Sequence, residues 1–266
     1  MATRVVLIVI GIVSRALILP FTKHANVWLH THQELLDMWI AWDGNWYLRV
    51  AGQWYPKGIL SYGQTNYAFF PLYPFLIKVI GYILHSNVVA ALFVANLSLI
   101  ISGVLLYKLV LLDGDETVAL RTIKYLFIFP SSFIFSGVLA ESLYLMLLLV
   151  CFYYTRRQRL FRAGIAGFFL SLTKPYGILI TLPMLYEYML ARNFNLGKIK
   201  LNIINMLLPV LGTLVFHLFC YCQTGDWLAY EHTKVSGWYH RLNNPLYTIA
   251  YALFKKPHNI NVFFNR

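Results

Sequence analysis

Three ionisable residues stand in apolar or aromatic surroundings where a charge needs a reason. Asp43 lies within Asp37-Met38-Trp39-Ile40-Ala41-Trp42-Asp43-Gly44-Asn45-Trp46-Tyr47-Leu48-Arg49. If that segment is helical, Trp39 and Tyr47 fall at i−4 and i+4 from the acid and Trp46 at i+3, which puts the carboxylate on an aromatic face. Partly desolvated there, it can serve as general base toward an acceptor hydroxyl. An interfacial aromatic helix carrying an incidental acid is the plainer reading of the segment taken alone.

Glu141, in Gly137-Val138-Leu139-Ala140-Glu141-Ser142-Leu143-Tyr144, divides two apolar half-segments and has no basic neighbour in sequence. A carboxylate in or beside a membrane segment is costly and points to function; here it is expected to pair with Lys174 or to orient an acceptor, with loop solvation as the bland alternative. Lys174, followed by Pro175, is suited to holding the phosphate of a departing lipid carrier, or simply to snorkelling. Farther on, Trp227 to Arg241 supplies Glu231, His232, Lys234, Trp238, His240 and Arg241, a mixture suited to phosphate and sugar. His217, alone in an apolar run, reads as a packed histidine.

Asp113-Gly114-Asp115 has the form of the DxD signature that holds a metal in many nucleotide-sugar transferases, but it falls in a loop expected on the opposite side, so it reads as a solvated acidic turn. Asp43-Gly44-Asn45 offers one carboxylate where a tight divalent site wants several oxygens. Little in the sequence supports a divalent metal, and no other cofactor is expected.

The elements that must carry these residues are membrane helices. Hydrophobic residues make up 59% of the 266 and charged residues 12%, with mean hydropathy +0.61, against roughly 25% charged in soluble domains. Apolar runs of about 20 residues recur, each enough for a hydrocarbon core of roughly 30 Å. The formal charge of +12 is scattered in short clusters between apolar runs, so membrane topology rather than nucleic acid accounts for it. Cys151, Cys220 and Cys222 lie in or beside apolar segments without metal spacing, so neither a disulfide framework nor a zinc site is expected. The apolar run after Arg4 lacks a small-residue cleavage site and reads as a retained first helix.

Basic loops stay cytoplasmic, and Arg156, Arg157, Arg159 and Arg162 mark the strongest one. Counting from it places 112–121 inside, starts the run 88–111 outside, and takes a first helix from an inner end near Arg4 to an outer end near Phe21. Residues 22–87 then form one large external loop, whose apolar stretch 69–84, interrupted by Pro71, Pro74 and Lys78, suits an interfacial helix. Crossings are expected over 122–138, 141–154 and 201–222. Residues 163–190 carry basic residues at both ends and Lys174-Pro175 near the middle, which predicts two shorter helices meeting near the outer side. The result is a single all-α membrane domain, 1–266, of about seven crossings.

Trp42-Asp43-Gly44-Asn45-Trp46-Tyr47-Leu48-Arg49-Val50-Ala51, followed by Asn66-Tyr67-Ala68-Phe69-Phe70-Pro71-Leu72-Tyr73-Pro74, resembles the GPI mannosyltransferase 2 (PIG-V-like) family and its bacterial relatives. Phe129-Pro130-Ser131-Ser132, Ala140-Glu141-Ser142-Leu143 and Leu172-Thr173-Lys174-Pro175-Tyr176-Gly177 are similar to its later motifs, and the likeness runs over about residues 5–245. It implies a GT-C fold and inverting transfer of a sugar, typically mannose, from a polyprenyl- or dolichyl-phosphate donor to a glycan, lipid or protein acceptor on the non-cytoplasmic face. The family's first-loop acid falls on Asp43 as base and its later acid on Glu141. The basic residue of the broken-helix motif, more often Arg in relatives, falls on Lys174. Trp42, Asn45, Arg49, Tyr67, Trp238 and Arg241 complete the expected substrate-binding set. Relatives usually continue through several more helices, so the chain is expected to be C-terminally short. A bacterial inner membrane is expected before an endoplasmic reticulum. A transporter or flippase uses similar broken helices, but no inverted repeat is visible and the polar residues gather toward one side; a non-catalytic paralogue is the third possibility.

Overall fold

Backbone polar groups at membrane depth must be satisfied within the chain, which leaves helix as the economical solution for apolar runs of this length. In the computed structural model the described residues are 2–18, 31, 33–58 and 63–239, with 244, 246, 247, 249 and 251 beyond them, and among these there are helices and turns but no strand. The α-helices are α1 (Ala2–Ile18), α2 (Glu34–Asp37), α3 (Gly44–Gln53), α4 (Leu72–Leu84), α5 (Asn87–Val110), α6 (Glu116–Ile128), α7 (Glu141–Arg156), α8 (Leu160–Ser171), α9 (Thr181–Leu190), α10 (Leu208–Thr224) and α11 (Ala229–Trp238).

Among the described residues two helical stretches are long and apolar enough to cross a membrane: α5, and Leu201–Thr224, in which a 3-10 turn runs into α10. Each has 24 residues, about 36 Å of helix against a hydrocarbon core of roughly 30 Å. The stretch expected to cross at 122–138 is broken instead. Pro130 lacks an N–H to continue the ladder, α6 stops, and the chain turns by 82° into a 3-10 segment over Pro130–Ser136. Counted as one bent span, that pair makes three.

The side chains of α5 are sorted as a lipid solvent requires. Val89, Phe93, Leu97, Ile100 and Val104 recur at helical spacing and are exposed, while Ala91, Ala95, Ser98, Ser102 and Gly103 line the buried face. Small residues inward let neighbouring backbones approach where the surrounding medium is itself apolar. The same logic joins α8 to α10. A Cβ on Gly212 would stand 2.4 Å from the Phe168 carbonyl, and one on Gly167 2.6 Å from the ring of Pro209, so only glycine permits this approach. Across the bundle, α4 packs on α5, α5 on α7, α7 on α8 and α8 on α10, with α6 beside α5 and α9 beside α7.

The break at Lys174 forms as expected. The residue before a proline is driven to extended backbone; Lys174 has φ −153° and ψ 152°, α8 stops before it, and a 3-10 turn over Pro175–Ile180 leads into α9. Both arms return to one end of the molecule. There Arg156 Nη2 lies 2.5 Å from Asp113 and its Nε 3.2 Å from Glu187, while Arg192 Nη1 donates to Gln158 Oε1 at 2.8 Å. We call this the arginine end.

Two further placements differ from expectation. Arg4 does not stand at the arginine end: its guanidinium donates to the Ser132 carbonyl at 2.8 Å and lies over Phe127, at the far end of α6 from Asp115. The reason is local, since the turn after Pro130 leaves the Ser132 carbonyl outside a regular helix ladder and open to a cationic donor. The segment 37–49 is also not one helix. α2 ends at Asp37, the chain turns through 38–43 with Trp42 at φ +49°, and α3 begins only at Gly44.

Candidate functional site

At the end opposite the arginines, four separate segments bring charged side chains together. Asp43 occupies the N-cap position of α3, and its carboxylate makes no capping bond to that helix. Tyr47 and Trp46 stand one turn along, as the i+4 and i+3 spacing requires, whereas Trp39 belongs to the preceding turn. Glu141 is the first residue of α7, where the positive end of the helix dipole favours a carboxylate. The extended backbone at Lys174 carries its amine to 2.6 Å from Glu141 Oε1, with both side chains only partly exposed. Burial, helped by the nearby charges of Glu141 and Asp43, pushes the Tyr47 phenol well above its ordinary range, so Tyr47 stays neutral between them.

The fourth charge is Lys234 of α11. That helix is seated by contacts distant in sequence. A Cβ on Gly237 would lie 2.6 Å from the Gly63 carbonyl, Gln64 Nε2 donates to the Gly237 carbonyl at 3.2 Å, and the hydroxyls of Thr65 and Thr233 are 3.2 Å apart. His217 of α10 reaches Glu231 at 3.2 Å and ties α11 to the bundle from the other side. So held, the Lys234 amine lies 5.1 Å from the centre of the Phe69 ring and 4.9 Å from that of Trp238. Trp46 stacks on Phe69 at 5.6 Å and meets Trp238 edge-on at 5.2 Å, which closes an aromatic wall of three rings. Burial pulls the Lys234 amine below the ordinary lysine range, the negative charge of Asp43 opposes that shift, and the positive charge of Lys174 adds to it. Lys234 therefore lies within electrostatic reach of both.

The other expected site residues divide. Arg49 lies over Trp46 at 5.1 Å and also donates to Gln53, so it borders the aromatic wall. Trp238 belongs to the wall itself. Asn45 Oδ1 is buried with no hydrogen-bond partner among the described residues, as is Glu141 Oε2. Trp42 is 62% exposed with its ring 5.7 Å from Phe133, so it projects outward from the site. Tyr67 is placed differently from expectation: it is fully buried, its hydroxyl donates to the Pro56 carbonyl at 2.6 Å, and it packs on Tyr55. The same burial leaves its phenol no exposed surface for a substrate. Arg241 and His240 lie outside the described residues.

The Asp-Gly-Asp turn at the arginine end is committed elsewhere. Asp113 pairs with Arg156, and Asp115 caps α6 by accepting from the Val118 amide at 2.8 Å. Among the described residues no three His, Cys, Asp or Glu side chains converge to hold a metal ion. Beside the site, α1 and the turn after α6 enclose an apolar cleft of about 780 Å³, lined by Ile10, Gly11, Met38, Trp39, Phe127 and Phe133.

Sequence reasoning grouped Lys234 with its polar neighbours but did not single it out, and it passed over Phe69 as a surface for a cation. The local signal at Lys234 was the i+4 spacing to Trp238; the Phe69 partner is 165 residues away and carried none. Compared with known protein families, curated proteins and solved structures, the chain matches none. The motif resemblance stands on the motif residues themselves.

Proposed function

We propose that the chain is a multi-pass membrane glycosyltransferase of the GT-C type, related to the GPI mannosyltransferase 2 family. In this reading about seven crossings, several of them short or broken, set the arginine end in the cytoplasm of a bacterial inner membrane and the Asp43 end on the outer face. The donor is a polyprenyl- or dolichyl-phosphate sugar, with mannose the expected sugar, and the acceptor is a hydroxyl of a glycan, lipid or protein.

The observation that carries this reading is the meeting of Asp43, Glu141, Lys174 and Lys234 from four segments beside an aromatic wall. Asp43 takes the proton of the acceptor hydroxyl. The acceptor oxygen bonds to the anomeric carbon as the bond from that carbon to the phosphate oxygen breaks. The electron pair leaves with the carrier phosphate, configuration inverts, and the proton passes from Asp43 to water. Aromatic faces suit the apolar faces of a sugar, and the two unpartnered acceptors, Asn45 Oδ1 and Glu141 Oε2, are matched by sugar hydroxyl donors. The apolar cleft at Met38 and Trp39 suits an isoprenoid chain.

The test is transfer from radiolabelled polyprenyl-phosphate mannose in membranes containing the chain or its Asp43→Asn variant at equal protein level. Loss of roughly 10²-fold or more in the variant is the general-base expectation. Equal transfer by both rejects Asp43 as base, and absence of transfer by the unaltered chain with every acceptor class rejects the reading.

A further inference from the structure

The two amines of the site are in different electrostatic states. Lys174 already has a counterion, since its amine is 2.6 Å from Glu141, and a second anion brought to it must compete with that carboxylate. Among the described residues Lys234 has no carboxylate within ion-pair distance. Its near neighbours are the faces of Phe69 and Trp238, which stabilise a cation weakly and accept no proton. Partial burial has removed water from this amine without supplying a full counter-charge, so an arriving anion gains more here than at a solvated lysine.

We propose that Lys234 is the phosphate-binding residue of the site, taking the phosphate of a lipid-linked donor between its amine and the aromatic wall, and that Lys174 is a positioning residue held by Glu141. This rests on the transferase reading above and assigns within it which cation meets the leaving group. The donor phosphodiester carries one negative charge; when its bond to the sugar breaks, the departing phosphate monoester gains a second on the oxygen that was bonded to carbon. A cation that is unpaired before reaction and faces that oxygen binds the product-like transition state more strongly than the ground state. A lysine already paired with Glu141 contributes little to that difference, but it holds the Glu141 carboxyl in place, with one oxygen left to accept from a ligand.

The experiment uses the purified full chain in lipid nanodiscs and measures binding of polyprenyl phosphate, with polyprenol as the probe lacking phosphate and inorganic phosphate as the probe lacking the lipid. Wild type is expected to bind polyprenyl phosphate in preference to polyprenol, with inorganic phosphate at equal concentration failing to displace it. Lys234→Met should weaken polyprenyl phosphate by roughly 10- to 100-fold, the loss of one charged hydrogen bond, and leave polyprenol binding unchanged. Unchanged polyprenol binding also shows that the variant is folded. Lys234→Arg should recover most of the affinity, and Lys174→Met should lose much less than Lys234→Met.

Tight polyprenyl phosphate binding by Lys234→Met overturns the assignment, as does equal loss of both lipids or a larger loss in Lys174→Met. Displacement by inorganic phosphate alone would make the site one for free phosphate and overturn the lipid-linked form. If wild type does not distinguish polyprenyl phosphate from polyprenol, the transferase reading falls together with this one; selectivity in wild type that survives in Lys234→Met sinks only the role of Lys234.

Discussion

At the scale of residues, the site is a question of which charge neutralises which. The charges acting on Lys234 are those of Asp43 at the start of α3 and Lys174 at the helix break, while Glu231 and His232 on its own helix are engaged by His217 and Asp226. Because its folded-state amine is held below the ordinary range, it loses its proton at lower pH than a solvated lysine. Donor affinity should therefore fall as pH rises through that lowered value. In Lys234→Arg, whose guanidinium stays charged, the fall should move to higher pH; an unmoved limb assigns it to another group. The stability effect has the opposite sense. Between the lowered folded value and the ordinary unfolded one the unfolded chain binds more protons, so the penalty for burying this lysine is relieved as pH climbs through that window.

A second residue-scale prediction concerns Glu141 and Lys174, whose ends meet at 2.6 Å while both side chains remain partly exposed. A double-mutant cycle with Glu141→Gln and Lys174→Met should return a coupling of about 1 kcal/mol in unfolding free energy, at the upper edge of exposed pairs and below fully buried ones. A coupling near zero would mean that the pair is held apart by water in the membrane-bound protein.

At the scale of elements, two devices position these charges: a helix ended before a proline and a helix pair brought close by glycine. α8 and α10 approach until a Cβ at Gly212 would overlap the Phe168 carbonyl. Gly212→Leu should then cost about 1–3 kcal/mol, the usual range for overpacking, and shift α8 together with the Lys174 turn that follows it. Thermal unfolding in detergent measures the cost, and Glu141-dependent activity measures the shift. If stability is unchanged, the two helices are not in contact along this face. The break after α6 has another character, because Pro130 removes an N–H and the chain leaves the helix at 82°. Val138, beyond that turn, then donates to the Trp39 carbonyl at 2.9 Å, which pins the turn before α3 against the residues leading to Glu141.

At the scale of the molecule, polarity along the bundle separates a basic end from the mixed-charge end. Asp113, Arg156 and Glu187 are joined at the first, where Arg192 donates to Gln158, and α3, the start of α7, the Lys174 turn and α11 converge at the second. The proposed topology places them on opposite faces of the membrane. With the exposed native thiol removed as Cys222→Ser, single cysteines at Arg157 and at His232 should react with an impermeant maleimide from opposite sides of sealed vesicles. Labelling of both from one side would overturn the orientation.

By itself the sequence determined the apolar character of the helices and the stop at Lys174-Pro175. Apolar runs with few charges, basic loops of one sign, and Lys174-Pro175 between two basic ends report on hydration and on local backbone, and these properties belong to the residues in order. It also marked Asp43 and Glu141, since carboxylates among aromatic and apolar neighbours are costly wherever the chain goes. The interruption of the helix within 37–49 and the bend at Pro130 were not legible. The first depends on the turn at 38–43 docking against Gly137 and Val138, and the second on where the chain goes once the ladder is broken. Tyr67 entered the expected substrate-binding set through the motif resemblance, whereas its burial, with the hydroxyl on the Pro56 carbonyl and the ring on Tyr55, became visible only in the fold. The pairing of Lys174 with Glu141 was among the sequence's own alternatives, and the structure selects it; the seating of Lys234 against Phe69 was decided by tertiary structure alone. Charge–charge and charge–ring interactions depend on distances in space, and α11 returns to Phe69 only after the intervening helices have packed.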